Sequence, residues 1–158
     1  LRRTPLPAQL MTYSNCKQVF GVDCTDSSSI RRCFESHPDI DCVWNLAAPL
    51  SVETAKDPAH AEKVVVKGME SLLDAMREFN VSKICFSDSI GSYGAHAPRE
   101  QATARWLVEN PHQDPGTVYG IQKRECRKLI AKFVEEDPKS RSCVWAVIPG
   151  VRPAQAKG

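Results

Sequence analysis

No stretch of this chain approaches the roughly 20 apolar residues that a membrane-spanning helix needs, and no run of Lys and Arg exceeds two residues. The first absence argues against a membrane protein. The second, with a net charge of only +2, leaves no basic footprint for a nucleic-acid backbone. The seven cysteines (Cys16, Cys24, Cys33, Cys42, Cys85, Cys126, Cys143) are odd in number, scattered and never spaced C-x-x-C. They read as small buried hydrophobes in a reducing compartment, not as a disulfide framework or zinc site. The four histidines, at 37, 60, 96 and 112, also lack metal-ligand spacing and read as surface residues. Glycines are few and isolated, so neither G-x-G-x-x-G nor G-x-x-G-x-x-G occurs. There is no signal-peptide pattern, no internal repeat and no low-complexity segment, and the first residue is Leu rather than Met.

What is present suits one compact globular domain: 158 residues, 42% of them hydrophobic. Pro5 and Pro7 mark residues 1–17 as a loop. Gln18 to Asp23 is expected to be a short strand. Asp26 to Ser29 offers caps for a helix that stops at His37-Pro38. Cys42 to Leu46 reads as a buried strand. Between Pro58 and Phe79, Val65, Met69, Leu72, Leu73 and Met76 form a helical stripe. Lys83 to Phe86 is the next strand, followed by a long loop from Ser87 to about Gly116. A helix from Val118 to near Asp137-Pro138 and a strand from Cys143 to Ile148 complete the series. This alternation predicts an α/β fold with a parallel sheet and helices on both faces. Ligands in such sheets bind beyond the carboxyl ends of the strands. Asp23, Ala47-Ala48, Ser87 to Ser89 and Pro149-Gly150 occupy those ends.

Tyr119 and Lys123 lie four apart at the start of an amphipathic run, so a helix projects them from one face. A cation beside a phenol favours the phenolate. A tyrosine titrates near ~10, so base chemistry near neutrality requires a depression of roughly 3 units, about 4 kcal/mol. The pair follows the serine cluster Ser87-Asp88-Ser89-Ile90-Gly91-Ser92-Tyr93-Gly94 and the strand end Asn45-Leu46-Ala47-Ala48.

Together these segments resemble the extended short-chain dehydrogenases/reductases, the NAD-dependent epimerase/dehydratase family, and within it the L-threonine 3-dehydrogenase type. Val22 to Asp26 resembles the family's adenine-side strand end, Asn45 to Ser51 the loop under the nicotinamide ribose, and Pro115 to Lys123 the catalytic helix entry. The resemblance covers essentially the whole chain but only part of such an enzyme. It implies a partial Rossmann-like, doubly wound parallel sheet over residues 1–158, lacking the first strand-helix unit and the C-terminal substrate part. That pattern fits a fragment of a larger enzyme or a truncated gene product. The register of Leu1-Arg2-Arg3 implies an acid just upstream, favouring NAD, although either arginine would suit NADP.

The resemblance assigns Ser89, Tyr119 and Lys123 as catalytic. It assigns Asp23, Cys24, Leu46, Ala47, Ala48, Tyr119, Lys123 and Pro149 to the cofactor NAD, and Ser51 and Ser89 to a small-molecule substrate. Lys123 and the cationic nicotinamide ring would together favour the Tyr119 phenolate, which takes a hydroxyl proton while Ser89 holds the substrate oxygen. L-Threonine is the first substrate reading and a nucleotide sugar the second. A non-catalytic remnant that keeps the fold is a third. A homodimer is implied at full length, in the cytoplasm or the mitochondrial matrix. Two positions depart from the pattern: Val65 replaces a usual asparagine, and Val147 a usual arginine. Each candidate has a plainer role: Ser89 as a turn cap, Ser51 as a helix cap, Asp23 as a strand end, Ser87 as a structural residue. Trp106 either packs over the cleft or anchors its loop.

Overall fold

A computed structural model describes residues 12, 19–94, 104–109 and 111–148. Helix α1 (Ser27–Ser36) opens where the Asp26 carboxylate accepts the Ser28 amide at 3.0 Å. It is followed by β1 (Cys42–Asn45), α2 (Ser51–Lys56) and α3 (Pro58–Glu62). Asp57 caps α3 by accepting the His60 amide, and Pro58 supplies its first turn. A π turn over Lys63–Lys67 leads straight into α4 (Gly68–Glu78). Asn80, in the left-handed region at φ 57°, stops α4. The Val81 amide bonds back to the Met76 carbonyl and the Asn80 amide to that of Arg77, closing the last carbonyls. Then come β2 (Lys83–Ser89), one 3₁₀ turn (Ile90–Tyr93), α5 (Ala104–Glu109), α6 (Val118–Glu135) and β3 (Ser142–Ile148).

The three strands pair in parallel in chain order, β1-β2-β3. Trp44 lies opposite Cys85, and Cys85 opposite Val144. The connections run through α4 and α6. Right-handed crossovers between successive parallel neighbours place both helices on the same face of the sheet. That face is the core: Ile30 and Phe34 of α1, Met69, Leu73 and Met76 of α4, Ile84 and Phe86 of β2, and Cys126, Ile130 and Phe133 of α6. Burying each large apolar side chain contributes about 1.5–3 kcal/mol. On the opposite face Trp44 and Val144 are exposed, so among the described residues helices cover one face, not both. The α/β class and the partial Rossmann-like parallel sheet are as expected.

Several local expectations need correction. Residues 19–23 form no strand; Val19 and Phe20 are exposed. Their alternation suits a strand, but no neighbouring backbone among the described residues offers them a ladder. Strand β2 is longer than expected, because Ser87 to Ser89 pair with Ala146 to Ile148. The loop after it contains the 3₁₀ turn and α5 rather than being irregular throughout. The expected loop over residues 1–17 lies outside the described residues except for Thr12.

Arg77 and Arg141 converge on Glu136, clasping the ends of α4, α6 and the approach to β3. Arg77 Nε sits 2.8 Å and Arg141 Nη1 2.6 Å from Glu136 Oε2, and both guanidiniums lie over the Phe133 ring. Hydrogen bonds from Arg77, then Arg141, pull the Glu136 carboxyl from 4.5 down to about 2. A carboxylate depressed on folding stabilises above its unfolded pKa, and that contribution fades as pH falls toward the folded value. Stability should therefore decline between pH 4.5 and pH 2. Urea unfolding of Glu136→Gln across this window should show a shallower decline; an unchanged slope would refute the role of this cluster.

Candidate functional site

The site lies at the carboxyl ends of the strands, where each chain reversal is fixed by a side-chain bond. Asn45 ends β1 by accepting the Ala47 amide on its own side-chain oxygen at 3.1 Å, which turns Ala47 and Ala48 out of the sheet. Ser89 ends β2, and its hydroxyl accepts the Gly91 amide at 3.2 Å, opening the 3₁₀ turn. The plainer role foreseen for Ser89, as a turn cap, is therefore present in the geometry. Thr117 caps α6 by accepting the Gly120 amide at 3.1 Å, so Tyr119 and Lys123 fall in the first two turns.

Two clusters result. In the first, a Cβ placed on Gly91 would lie 3.4 Å from Ser89 Oγ and 3.8 Å from the Tyr119 ring, so both border one point. Lys123 Nζ lies 5.7 Å from the centre of the Tyr119 ring and 4.8 Å from that of Phe86. Lys123 is 3% exposed, and its ammonium donates to the Ser87 carbonyl at 2.6 Å and more weakly to the Ser87 hydroxyl. Burial pushes its pKa down, with Cys126 and Asp88 opposing. Of its three N–H donors, two are used, leaving one to offer.

The second cluster is a cavity of about 560 Å³ whose walls include Asp23, Cys24, Thr25, Ala47, Ala48 and His60. The Asp23 carboxylate accepts the Thr25 amide at 2.9 Å and the Thr25 hydroxyl at 2.8 Å, and these bonds lower its pKa. Buried Ser29 of α1 holds this segment, accepting the Asp23 amide and donating to the Gly21 carbonyl. Ser87 links the clusters: its hydroxyl donates to the Asn45 carbonyl at 3.3 Å, and its own carbonyl receives Lys123.

Of the residues singled out in the sequence, Ser89, Tyr119 and Lys123 are thus brought together, as are Asp23, Cys24, Ala47 and Ala48. Leu46 is 65% exposed and is not among the cavity's wall residues. Ser51 is exposed as the first residue of α2. The cap position belongs to Leu50, whose amide donates to the Glu53 carboxylate at 3.0 Å. Pro149 lies outside the described residues, as do Gly150, His96 and Cys16. Trp106 packs on Tyr93 with ring centres 5.6 Å apart, which makes it an anchor of its loop. Buried Asp88, Ser92 and Gln113, with the half-buried Arg127, form a polar cluster behind Ser89 that the sequence reading passed over. Its one signal is spacing: Arg127 follows Lys123 by four, on the same helical face. Among the described residues no group of His, Cys, Asp or Glu could hold a metal ion, and no helix is long and apolar enough to cross a membrane.

Comparison with known proteins gives a consistent result. The sequence profile described as "NAD dependent epimerase/dehydratase family" matches residues 3–147. A UDP-glucose 4-epimerase from Streptococcus mutans is 36% identical over 115 residues, covering 71% of this chain and 34% of that enzyme. The chain thus spans about a third of the length of that curated relative. A monomeric L-threonine 3-dehydrogenase from a metagenome matches with TM-score 0.71 and 26% identity, over 87% of this chain and 42% of that one. A UDP-glucose 4-epimerase from Brucella ovis, solved in complex with NAD, matches with TM-score 0.65 and 25% identity, over 83% of this chain and 37% of that one.

The approach of α6 to the Ser89 turn rests on Gly120. A Cβ there would overlap the Gly91 carbonyl oxygen and lie 2.8 Å from Pro115 Cβ. Gly120→Ala should cost about 1–3 kcal/mol by overpacking. Denaturant unfolding checks this, and an unchanged midpoint would show that the turn and helix are not in this contact.

Proposed function

The chain belongs to the NAD-dependent epimerase/dehydratase family, and from that membership we propose that it carries the catalytic segment of an NAD-dependent enzyme that oxidises a secondary alcohol. The observation that carries this reading is the Lys123 ammonium beside the Tyr119 ring, with Ser89 Oγ and that ring bordering Gly91. Oxidation breaks a C–H and an O–H bond of the substrate. Tyr119 receives the hydroxyl proton on its phenolate oxygen and passes it to solvent. Lys123 places a cation beside the Tyr119 ring, within reach of charge that develops there during proton transfer. Ser89 donates a hydrogen bond to the substrate oxygen and holds it over Tyr119.

The residues present fit the adenosine part of the cofactor. The cavity at Asp23 falls within the roughly 300–1,000 Å³ of small-molecule sites. Asp23 offers an ionised carboxylate to ribose hydroxyls, and Ala47 and Ala48 leave room for close approach. The free N–H of Lys123 suits a ribose hydroxyl at the nicotinamide end. NAD, when bound, supplies the hydride acceptor. Residues 1–158 make one partial dinucleotide-binding unit in this reading, and the full-length protein is a homodimer.

L-Threonine is the substrate we favour, with a 2-amino-3-oxo acid as product; the structural likeness to a threonine dehydrogenase supports it. A nucleotide sugar is the second reading, in which the hydride returns to the substrate, and the Streptococcus mutans relative supports that one. Assaying the full-length protein with NAD and either L-threonine or UDP-glucose separates them; activity on neither supports a non-catalytic remnant. Tyr119→Phe should lower kcat by about 10²–10⁴ while leaving the Kd for NAD nearly unchanged. Near-normal turnover in that variant would overturn the assignment of Tyr119.

A further inference from the structure

Asp88 has no exposed side-chain surface, and each hydrogen bond it accepts comes from a segment framing the Ser89 turn. Oδ1 takes the Ser89 amide at 2.8 Å and the Ser92 hydroxyl at 3.2 Å. Oδ2 takes Gln113 Nε2 at 3.3 Å and Arg127 Nη1 at 3.2 Å. Arg127 also donates to the Tyr93 hydroxyl at 2.9 Å, and its guanidinium carbon lies 5.0 Å from the Trp145 ring. One carboxylate therefore joins the end of β2, the segment of the connection that leads into α6, and α6 itself. On α6, Arg127 sits one turn beyond Lys123 and two beyond Tyr119. A fully buried charge that loses its partner is strongly destabilised, so the two groups hold these segments in one arrangement.

We propose that Asp88 and Arg127 form a positioning clamp, with Gln113 as its third member, that fixes Ser89 against the helix carrying Tyr119 and Lys123. The proposal rests on the roles given to those three residues above. Asp88 and Arg127 act through them and are positioning residues. The same carboxylate bears on Lys123 electrically. Of the titratable groups facing Lys123, Cys126 on its own helix is pushed up to about 12 by burial and is neutral near pH 7. Asp88 from β2 is then the charge that opposes the effect of burial on Lys123.

The test compares Asp88→Asn, Arg127→Gln, Arg127→Lys and the double variant Asp88→Asn/Arg127→Gln in the full-length protein. Readouts are kcat with L-threonine and with UDP-glucose, Kd for NAD by calorimetry, and the titration of the Lys123 side chain by NMR. Each of the two single variants that break the pair should lose about 10- to 100-fold in kcat, the scale of an ångström-sized misplacement, with Kd for NAD little changed. Arg127→Lys should recover part of the loss. The double variant should be no worse than the worse single, because both break one unit. The Lys123 midpoint should fall in Asp88→Asn and should not fall in Arg127→Gln. Unchanged kcat in both singles, or losses that add fully in the double, would overturn the clamp. If the wild type turns over neither substrate, the proposed function fails, and the Lys123 midpoint still decides: a fall in Asp88→Asn supports the clamp, and an unmoved midpoint overturns it. Should Asp88→Asn not fold, Gln113→Ala and Arg127→Lys leave the carboxylate paired and should each lose kcat; wild-type turnover in both overturns the proposal.

Discussion

Taking the Lys123 ammonium out of water is the demand around which this site is organised. A desolvated cation loses hydration that the protein must replace. The replacement comes from the Ser87 carbonyl, the face of the Phe86 ring and the nearby Asp88 charge. All three sit on successive residues of β2, a strand paired on both sides. Ser87 is in turn tied to β1 through the Asn45 carbonyl. Asn45 then uses its side chain to turn Ala47 and Ala48 toward the cavity at Asp23. The position of one lysine is thereby coupled to the shape of the cavity, through short bonds between strand ends that the sheet holds rigid.

Asp88 extends this logic along the strand end. Ser87 receives Lys123 and Asp88 receives Arg127, both from α6, while Asp88 also takes Gln113 from the segment before that helix, so adjacent residues of the strand end hold the helix and its approach together. Tyr93 shows the economy of the arrangement. Its ring lies against Trp106 while its hydroxyl meets Arg127, so an anchor of the connection and a ligand of the ion pair are the same side chain. The 3₁₀ turn between them is closed by Gly94, which at φ 63° bridges to Asp114 so closely that a Cβ would collide with that carbonyl.

How much of this was legible in the sequence follows from which forces leave periodic traces. Helix α6 and the core faces of α4 were readable because Met69, Leu73 and Met76, and Ile130 and Phe133, recur at helical spacing. The Asp26 cap was readable because capping depends on neighbours in sequence. The length of β2 was not: Ser87 to Ser89 look like loop residues, and only their partners Ala146 to Ile148 make them strand. The opposite error occurs at Val19 to Asp23, where strand propensity exists without a partner to realise it. The π turn is hidden because Lys63 to Lys67 keeps an apolar stripe. There the Val65 carbonyl accepts the Cys126 thiol at 3.4 Å. The proximity of Ser89, Tyr119 and Lys123 was legible as a motif. Asp88 and Arg127 were not, since charged residues read as solvated until packing encloses them.

Strand order has a kinetic meaning. Because β1, β2 and β3 pair in the order in which they occur along the chain, each new strand docks on the one made just before it, and no later segment must be threaded between them. Loop closure then involves only the intervening crossover, and the contact order of this region is kept low for a parallel sheet. During synthesis, β1 and β2 with α4 between them can associate before β3 leaves the ribosome, and α6 can then carry Lys123 onto a β2 surface that already exists. Among the described residues, the outer edge of β1 carries no partner strand.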